Sequence, residues 1–153
     1  MISRRNKLIE KVGILKSSET TDFCGDLLDK KRYEAGLKVR RSVLGEEIDN
    51  ETRRNTTEFS KPLQDLNAEY LWGSIWTRPG LPKKTRSLIT LGILTALNKP
   101  VEIKLHVKGA ITNGCTKEEI MEALLHATVY CGVPAGVEAF RAAQGALSEG
   151  AKA

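Results

Sequence analysis

The stretch from Val101 to Gly114, VEIKLHVKGAITNG, carries an acid and an imidazole at a spacing that matters if the segment is helical. Glu102 and His106 are four residues apart, so on a 3.6-residue turn they share one face and their side chains can touch. Around the same wheel Asn113 falls between them in angle. Ala110 and Ile103 lie beside them towards an apolar arc, and Leu105 with Gly109 flanks the other side. Lys104 and Lys108 point the opposite way, to the expected solvent face. A histidine held against a carboxylate in a partly apolar setting is a proton-transfer group for neutral pH. The same spacing equally serves a buried histidine that only satisfies its neighbour. Glu122 and His126 repeat the interval on a later segment, and two such pairs could grip a metal between helices. The helical di-iron pattern needs Glu-x-x-His and further carboxylates, neither of which is evident, so no metal is expected.

The elements that must position these groups all read as helices. Tyr33, Leu37 and Leu44, joined by Val39 and Val43, follow helical spacing over about Lys30 to Leu44, and Gly45 is a C-terminal stop. Glu46 to Glu58 is charged without a sustained apolar face and predicts a short surface helix or loop. Ser60 and Pro62 open the next helix, in which Leu63, Leu66, Tyr70 and Ile75 recur with helical period. Trp72 and Trp76 stand one turn apart, Trp76 against the sharp turn Thr77-Arg78-Pro79-Gly80. Pro82 suits a first helical turn, and the run from Leu88 to Leu97 is so apolar that this helix should be buried almost all round. Arg86, just before it, either snorkels outward or is held for an anion.

Asn113-Gly114 closes the Glu102–His106 helix, glycine taking the left-handed C-terminal position without strain. Thr116 and Glu119 form a capping box for a helix over about Lys117 to Tyr130, with Ile120, Leu124 and Ala127 as its inner stripe. A last helix from Pro134 to about Glu149 should pack through Val137, Phe140 and Leu147. β-branched residues are scattered and do not alternate, so no strand is expected. The fold class is all-α, a compact bundle of about six to seven helices.

Composition narrows the functions. The 153 residues are one domain's worth. Residues 1–28 read as an extension, with a short helix around Lys7 to Leu15, and residues 29–153 as the helical domain. No window approaches ~18 continuous apolar residues, which predicts no membrane span. The basic N-terminus lacks an apolar core and carries Glu10, unlike a secretory signal. Cys24, Cys115 and Cys131 are widely spaced and never form Cys-x-x-Cys, which points to a reducing, cytoplasmic setting and against a dithiol centre. The net charge of +5 comes from scattered pairs interleaved with acids, and aromatics are only 5%. That pattern fits a solvated surface, or attraction of small anionic substrates, better than nucleic acid.

Taken together, WGSIWTRPGLPKKTRSLITLGILTAL, Glu102-Ile-Lys-Leu-His106, the Asn-Gly at 113–114 and YCGVP at 130–134 resemble the carboxymuconolactone decarboxylase family, within the superfamily of alkylhydroperoxidase-D-like proteins. YEAGLKVRRSVLG at 33–45 is similar to the segment preceding that core in the γ-carboxymuconolactone decarboxylases. The redox branch carries Cys-x-x-Cys-x-x-x-His on the corresponding helix. Aligning its histidine with His106 puts Lys99 and Glu102 where the cysteines would stand, so a thiol peroxidase would lack its nucleophile. The resemblance implies decarboxylation of an unsaturated carboxy-lactone, γ-carboxymuconolactone to β-ketoadipate enol-lactone; the alternatives are a re-purposed member acting on another lactone or keto-acid intermediate, or a non-catalytic member. It implies no cofactor, since the lactone is its own electron sink. His106 would donate the proton, Glu102 would fix its tautomer and keep it charged, Arg78 and Arg86 would hold the substrate's oxygens, and Trp76 and Tyr130 would line the pocket. It also implies a homo-oligomer, a trimer or hexamer, with sites near subunit contacts.

Overall fold

In the computed structural model the described residues are 28–150. The extension, the short helix expected around Lys7 to Leu15 and Cys24 lie outside them. The chain forms seven α-helices among the described residues, with no strand: α1 Lys30–Leu44, α2 Glu46–Asn55, α3 Lys61–Leu66, α4 Lys83–Ala96, α5 Pro100–Thr112, α6 Lys117–Cys131 and α7 Val133–Gly150. A π-helix, Asn67–Ile75, continues α3 without a break. The all-α expectation holds, and so does the charged second helix.

Asp29 starts α1, its carboxylate accepting from the Arg32 backbone N–H at 3.1 Å. The link from α1 to α2 is electrostatic. Asp49, the buried residue of α2, accepts from Arg40 Nη1 at 3.1 Å and Arg41 Nη2 at 3.0 Å, with Arg53 Nε at 3.5 Å. A highly charged helix therefore docks through one buried acid ringed by guanidinium groups, with Ile48 packed against the core beside it.

The π-helix departs from the regular period read in the sequence. The Trp76 N–H donates to the Leu71 carbonyl at 3.1 Å, and Ser74 Oγ reaches the Glu69 carbonyl at 3.1 Å, both across five residues. A turn this wide brings residues four apart nearly into line. Trp72 and Trp76 thus face the same way, their ring centroids 4.9 Å apart at 36°. Glycine lets α1 lie directly on this segment. A Cβ on Gly36 would fall 1.8 Å from the Ala68 carbonyl oxygen, and one on Gly73 2.2 Å from that of Arg32.

Two hydrophobic clusters result. The larger joins α4 to α7 through Leu91, Ile103, Val107, Ala110, Ile120, Leu124, Ala139, Ala143 and Ala146. The smaller holds Val43, Leu44, Trp72 and Trp76, with Val39, Ile48 and Leu105 packed on it. Helix α6 begins with the expected Thr116/Glu119 capping box, and Ile120 and Leu124 form its buried stripe.

Three expectations about faces are corrected. Leu63, Leu66 and Tyr70 are 57%, 57% and 63% exposed, because Asp65, Ala68 and Trp72 take the inner side. Helix α4 is not buried all round: Ser87, Leu91 and Thr95 face the core, while Ile89, Ile93 and Leu97 lie open, since α5 to α7 cover only one side. Helix α7 packs through Ala139, Ala143 and Ala146, whose small side chains let it come close, and leaves Val137 and Phe140 partly exposed.

Candidate active site

Helix α5 positions the acid and the imidazole. Pro100 stands in its first turn, where a missing N–H costs nothing, and Glu102 is the acid of that turn, favoured by the helix dipole. One side of α5 sends Leu105 to the tryptophan cluster, and another sends Ile103, Val107 and Ala110 into the main core. His106 lies between these in angle. On the helical wheel it falls along the seam between the arcs that feed the two clusters, and it is half-buried, while Glu102 is exposed.

Burial dominates the electrostatics of this pair. Desolvation pulls the His106 imidazole below its ordinary pKa of 6.5, and the Glu102 charge only partly opposes it. No hydrogen bond joins the two side chains, so Glu102 acts on the ring through space. The resting imidazole therefore favours its neutral form at neutral pH.

Trp76 is buried against Trp72 in the cluster that borders this seam. The two arginines are brought together by the turn after the π-helix. Arg86 Nη2 donates to the Arg78 carbonyl at 3.1 Å, and the buried Arg86 Nε has no acceptor among the described residues. Arg86 thus does not simply snorkel outward, and Arg78 projects its own side chain into solvent. Tyr130 is 80% exposed at the end of α6, its ring on His126 at 5.0 Å rather than on His106. Glu122 and His126 are both exposed, and among the described residues no group of three or more His, Cys, Asp or Glu is placed to hold a metal ion. The Cys115 thiol is buried, and burial pushes its pKa up, which disfavours a nucleophilic thiolate.

Sequence reasoning missed several partners. Ser87, buried on α4, accepts a hydrogen bond from Asn113 Nδ2 at 2.9 Å. Lys104 and Lys108 are not merely solvated; both pair with Glu149 of α7, the second at 2.9 Å. Pairings 26 to 45 residues apart leave no local signature. A cavity of about 890 Å³ is an apolar groove between α6 and α7 lined by residues such as Met121, Leu125, Val137, Phe140 and Leu147. None of Trp76, Arg78, Arg86, Glu102, His106 or Tyr130 lines it. It is wide but offers no acid–base pair, so the seam beside His106 is the better candidate for chemistry.

The model of the "Carboxymuconolactone decarboxylase family" matches residues 61–145, a span holding all six of these residues. The chain is 44% identical over 130 residues, 85% of its length and 91% of the relative's, to a nitrosuccinic acid decarboxylase of Metarhizium robertsii. It is 40% identical over 116 residues, 76% of its length and 87% of the relative's, to a 4-carboxymuconolactone decarboxylase of Acinetobacter baylyi. An uncharacterized 15.0 kDa protein of Paracoccus denitrificans is 36% identical over 84 residues, 53% of this chain and 62% of that protein. With more than half its length inside the family match and two named decarboxylases aligned over most of theirs, the chain belongs to the carboxymuconolactone decarboxylase family.

Proposed function

We propose that the protein is a decarboxylase of an unsaturated carboxy-lactone, converting γ-carboxymuconolactone to β-ketoadipate enol-lactone, with the α5 seam as its active site. The observation that carries this is the Glu102–His106 pair on that seam, inside the segment matched by the family. The carbon–carbon bond to the carboxylate breaks and carbon dioxide leaves. The electron pair spreads as a dienolate onto the ring carbonyl, and a proton is then added at carbon. Because the lactone carbonyl accepts the electrons, the step calls for no cofactor; the protein must orient an anion, stabilise the oxygen and supply one proton.

The roles follow from charge. Arg86, with Nε unpartnered among the described residues and Nη2 on a backbone carbonyl, and Arg78 beside it hold the substrate's carboxylate or lactone oxygen through forked hydrogen bonds. The neutral resting imidazole of His106 takes up a proton as the anionic substrate arrives, because the added negative charge acts in the same direction as Glu102. It then gives that proton to carbon. Trp76 walls the seam, and Tyr130, exposed in the single chain, lines the pocket once subunits assemble. The working state is a cytoplasmic homo-oligomer, a trimer or hexamer. Ile89, Ile93, Leu97 and Val101, 48%, 54%, 60% and 77% exposed, support association, since together they form an apolar surface a monomer would leave wet. Sedimentation returning a clean monomer overturns that part.

The nitrosuccinic acid decarboxylase relative favours a second substrate class, an acyclic nitro dicarboxylate. A nitro group accepts the electron pair of a departing neighbouring carboxylate as a carbonyl does, so the same proton-transfer pair and arginines would serve. Incubating the protein with γ-carboxymuconolactone and, separately, with nitrosuccinate while following carbon dioxide release separates the two readings. Removing a general acid costs about 10²–10⁴-fold, so His106→Gln is expected to lose activity on that scale on the accepted substrate. Near-normal turnover by that variant contradicts the assignment.

A further inference from the structure

Helix α4 begins without a side-chain cap. Pro82 stands at its N-cap, and the first backbone bond runs from the Arg86 N–H to the Pro82 carbonyl at 3.1 Å. An uncapped first turn frays unless tertiary contacts hold it, and Arg86 lies in this turn. Among the described residues, besides the Arg86 Nη2 bond to the Arg78 carbonyl at 3.1 Å, the ties available to it are few. Lys83 Nζ reaches Ser42 Oγ at 2.9 Å, and Lys84 Nζ pairs with Glu119 at 2.7 Å, both through exposed or half-exposed side chains. The Lys84 carbonyl receives a weak bond from Cys115 Sγ at 3.6 Å. The remaining tie is of a different quality. Ser87, 2% exposed and next in the chain to Arg86, accepts from Asn113 Nδ2 at 2.9 Å. A buried hydroxyl is costly to leave unpaired.

Asn113 closes α5, the helix of His106, and lies on the same stripe as Glu102 and His106. The Ser87–Asn113 bond therefore joins the end of the proton-transfer helix to the turn carrying the anion-binding arginine. Its backbone setting fixes where the guanidinium of Arg86 can reach. We propose that Asn113 is a positioning residue that acts through Ser87 to keep Arg86 in register with His106, so that its loss weakens binding of the substrate's carboxylate without disabling proton transfer. This rests on the reading of Arg86 as the anion-binding group.

A double-mutant cycle tests it, with two readouts: KM and kcat on whichever substrate turns over, and affinity for succinate, an unreactive dicarboxylate, by calorimetry. In Asn113→Ala, KM is expected to rise and succinate affinity to fall by roughly tenfold, the order of one lost hydrogen bond near a charge, with kcat within about twofold. In an Arg86→Ala background the same change is expected to add nothing, because its effect passes through Arg86. Ser87→Ala should reproduce Asn113→Ala, and the two together should equal either alone. Additive losses in the Arg86→Ala background, an unchanged KM and succinate affinity with only a lower melting temperature, or a fall confined to kcat would each overturn the proposal. If the protein binds succinate in an Arg86-dependent way but decarboxylates neither candidate, the functional reading fails while the cycle still decides the role of Asn113. If Arg86→Ala leaves succinate binding intact, the proposal fails with its premise.

Discussion

The two hydrophobic clusters are built on different principles, and on α5 His106 falls between the arcs that feed them. The α4–α7 core is filled by aliphatic side chains, with alanines at 139, 143 and 146 letting α7 approach closely. The cluster around Trp72 and Trp76 depends instead on a backbone device, the π-turn and the glycine contact between α1 and the π-helix. The first can lose a methyl group by leaving a small void. The second has almost no room to give, because its closest contacts are to carbonyl oxygens fixed in helices.

This contrast can be broken at its strictest point. Gly36→Ala would place a methyl carbon 1.8 Å from the Ala68 carbonyl oxygen, so α1 must lift away as a unit. The expected loss is at or beyond the top of the ~1–3 kcal/mol range for overpacking. Urea unfolding followed by tryptophan fluorescence measures it; an unchanged midpoint would mean the two helices are not so close. Slightly smaller is Asp49→Ala. Removing one partner of a buried ion pair costs about 3–5 kcal/mol, and the lower end applies because Arg41 and Arg53 remain half-exposed and can turn to water. Unfolding monitored by circular dichroism should give about 3 kcal/mol, and a loss below about 1 kcal/mol would mean that α2 docks by something other than its buried acid.

The seam itself is sharpened by pH. The folded chain lowers the His106 pKa, so it binds that proton less readily than the unfolded chain does. His106 therefore contributes stability that is fully present above 6.5 and is lost as pH falls through the depressed folded value. Glu102 raises the value against the larger effect of burial, so Glu102→Gln should move the His106 titration, followed by the ring C–H resonance, to still lower pH. A shift upward would show that the carboxylate does not reach the ring. The smallest effect belongs to the roomier region. A Cβ at Gly145 meets nothing within 4 Å, so Gly145→Ala is expected to stabilise by about 0.5–1 kcal/mol, read as a higher melting temperature.

Much of the α4–α7 region was legible because its signals are local. The Thr116/Glu119 box sits within one turn and fixes where α6 starts. Glu102 and His106 needed only helical spacing to share a face. What depended on distant partners was not legible. The apolar stripe of Leu63, Leu66 and Tyr70 suggested an inner face, but which side of a helix is covered depends on what lies beside it, and α1 covers the other. Lys104 and Lys108 looked solvent-bound because Glu149 lies more than 40 residues on. Ser87 is an ordinary helical serine until Asn113 reaches it.

By itself, then, the sequence determined the helical class, the acid–histidine pair, the arginine-bearing turn and the resemblance that named its family, since each is set by neighbours within a few residues or by short motifs. Only the tertiary structure decided that burial outweighs Glu102 at His106, that the Arg78 carbonyl engages Arg86, and that a π-turn aligns the tryptophans. Desolvation, hydrogen-bond closure and helix register depend on how much of the chain surrounds each group, and that is known only once distant segments have come together.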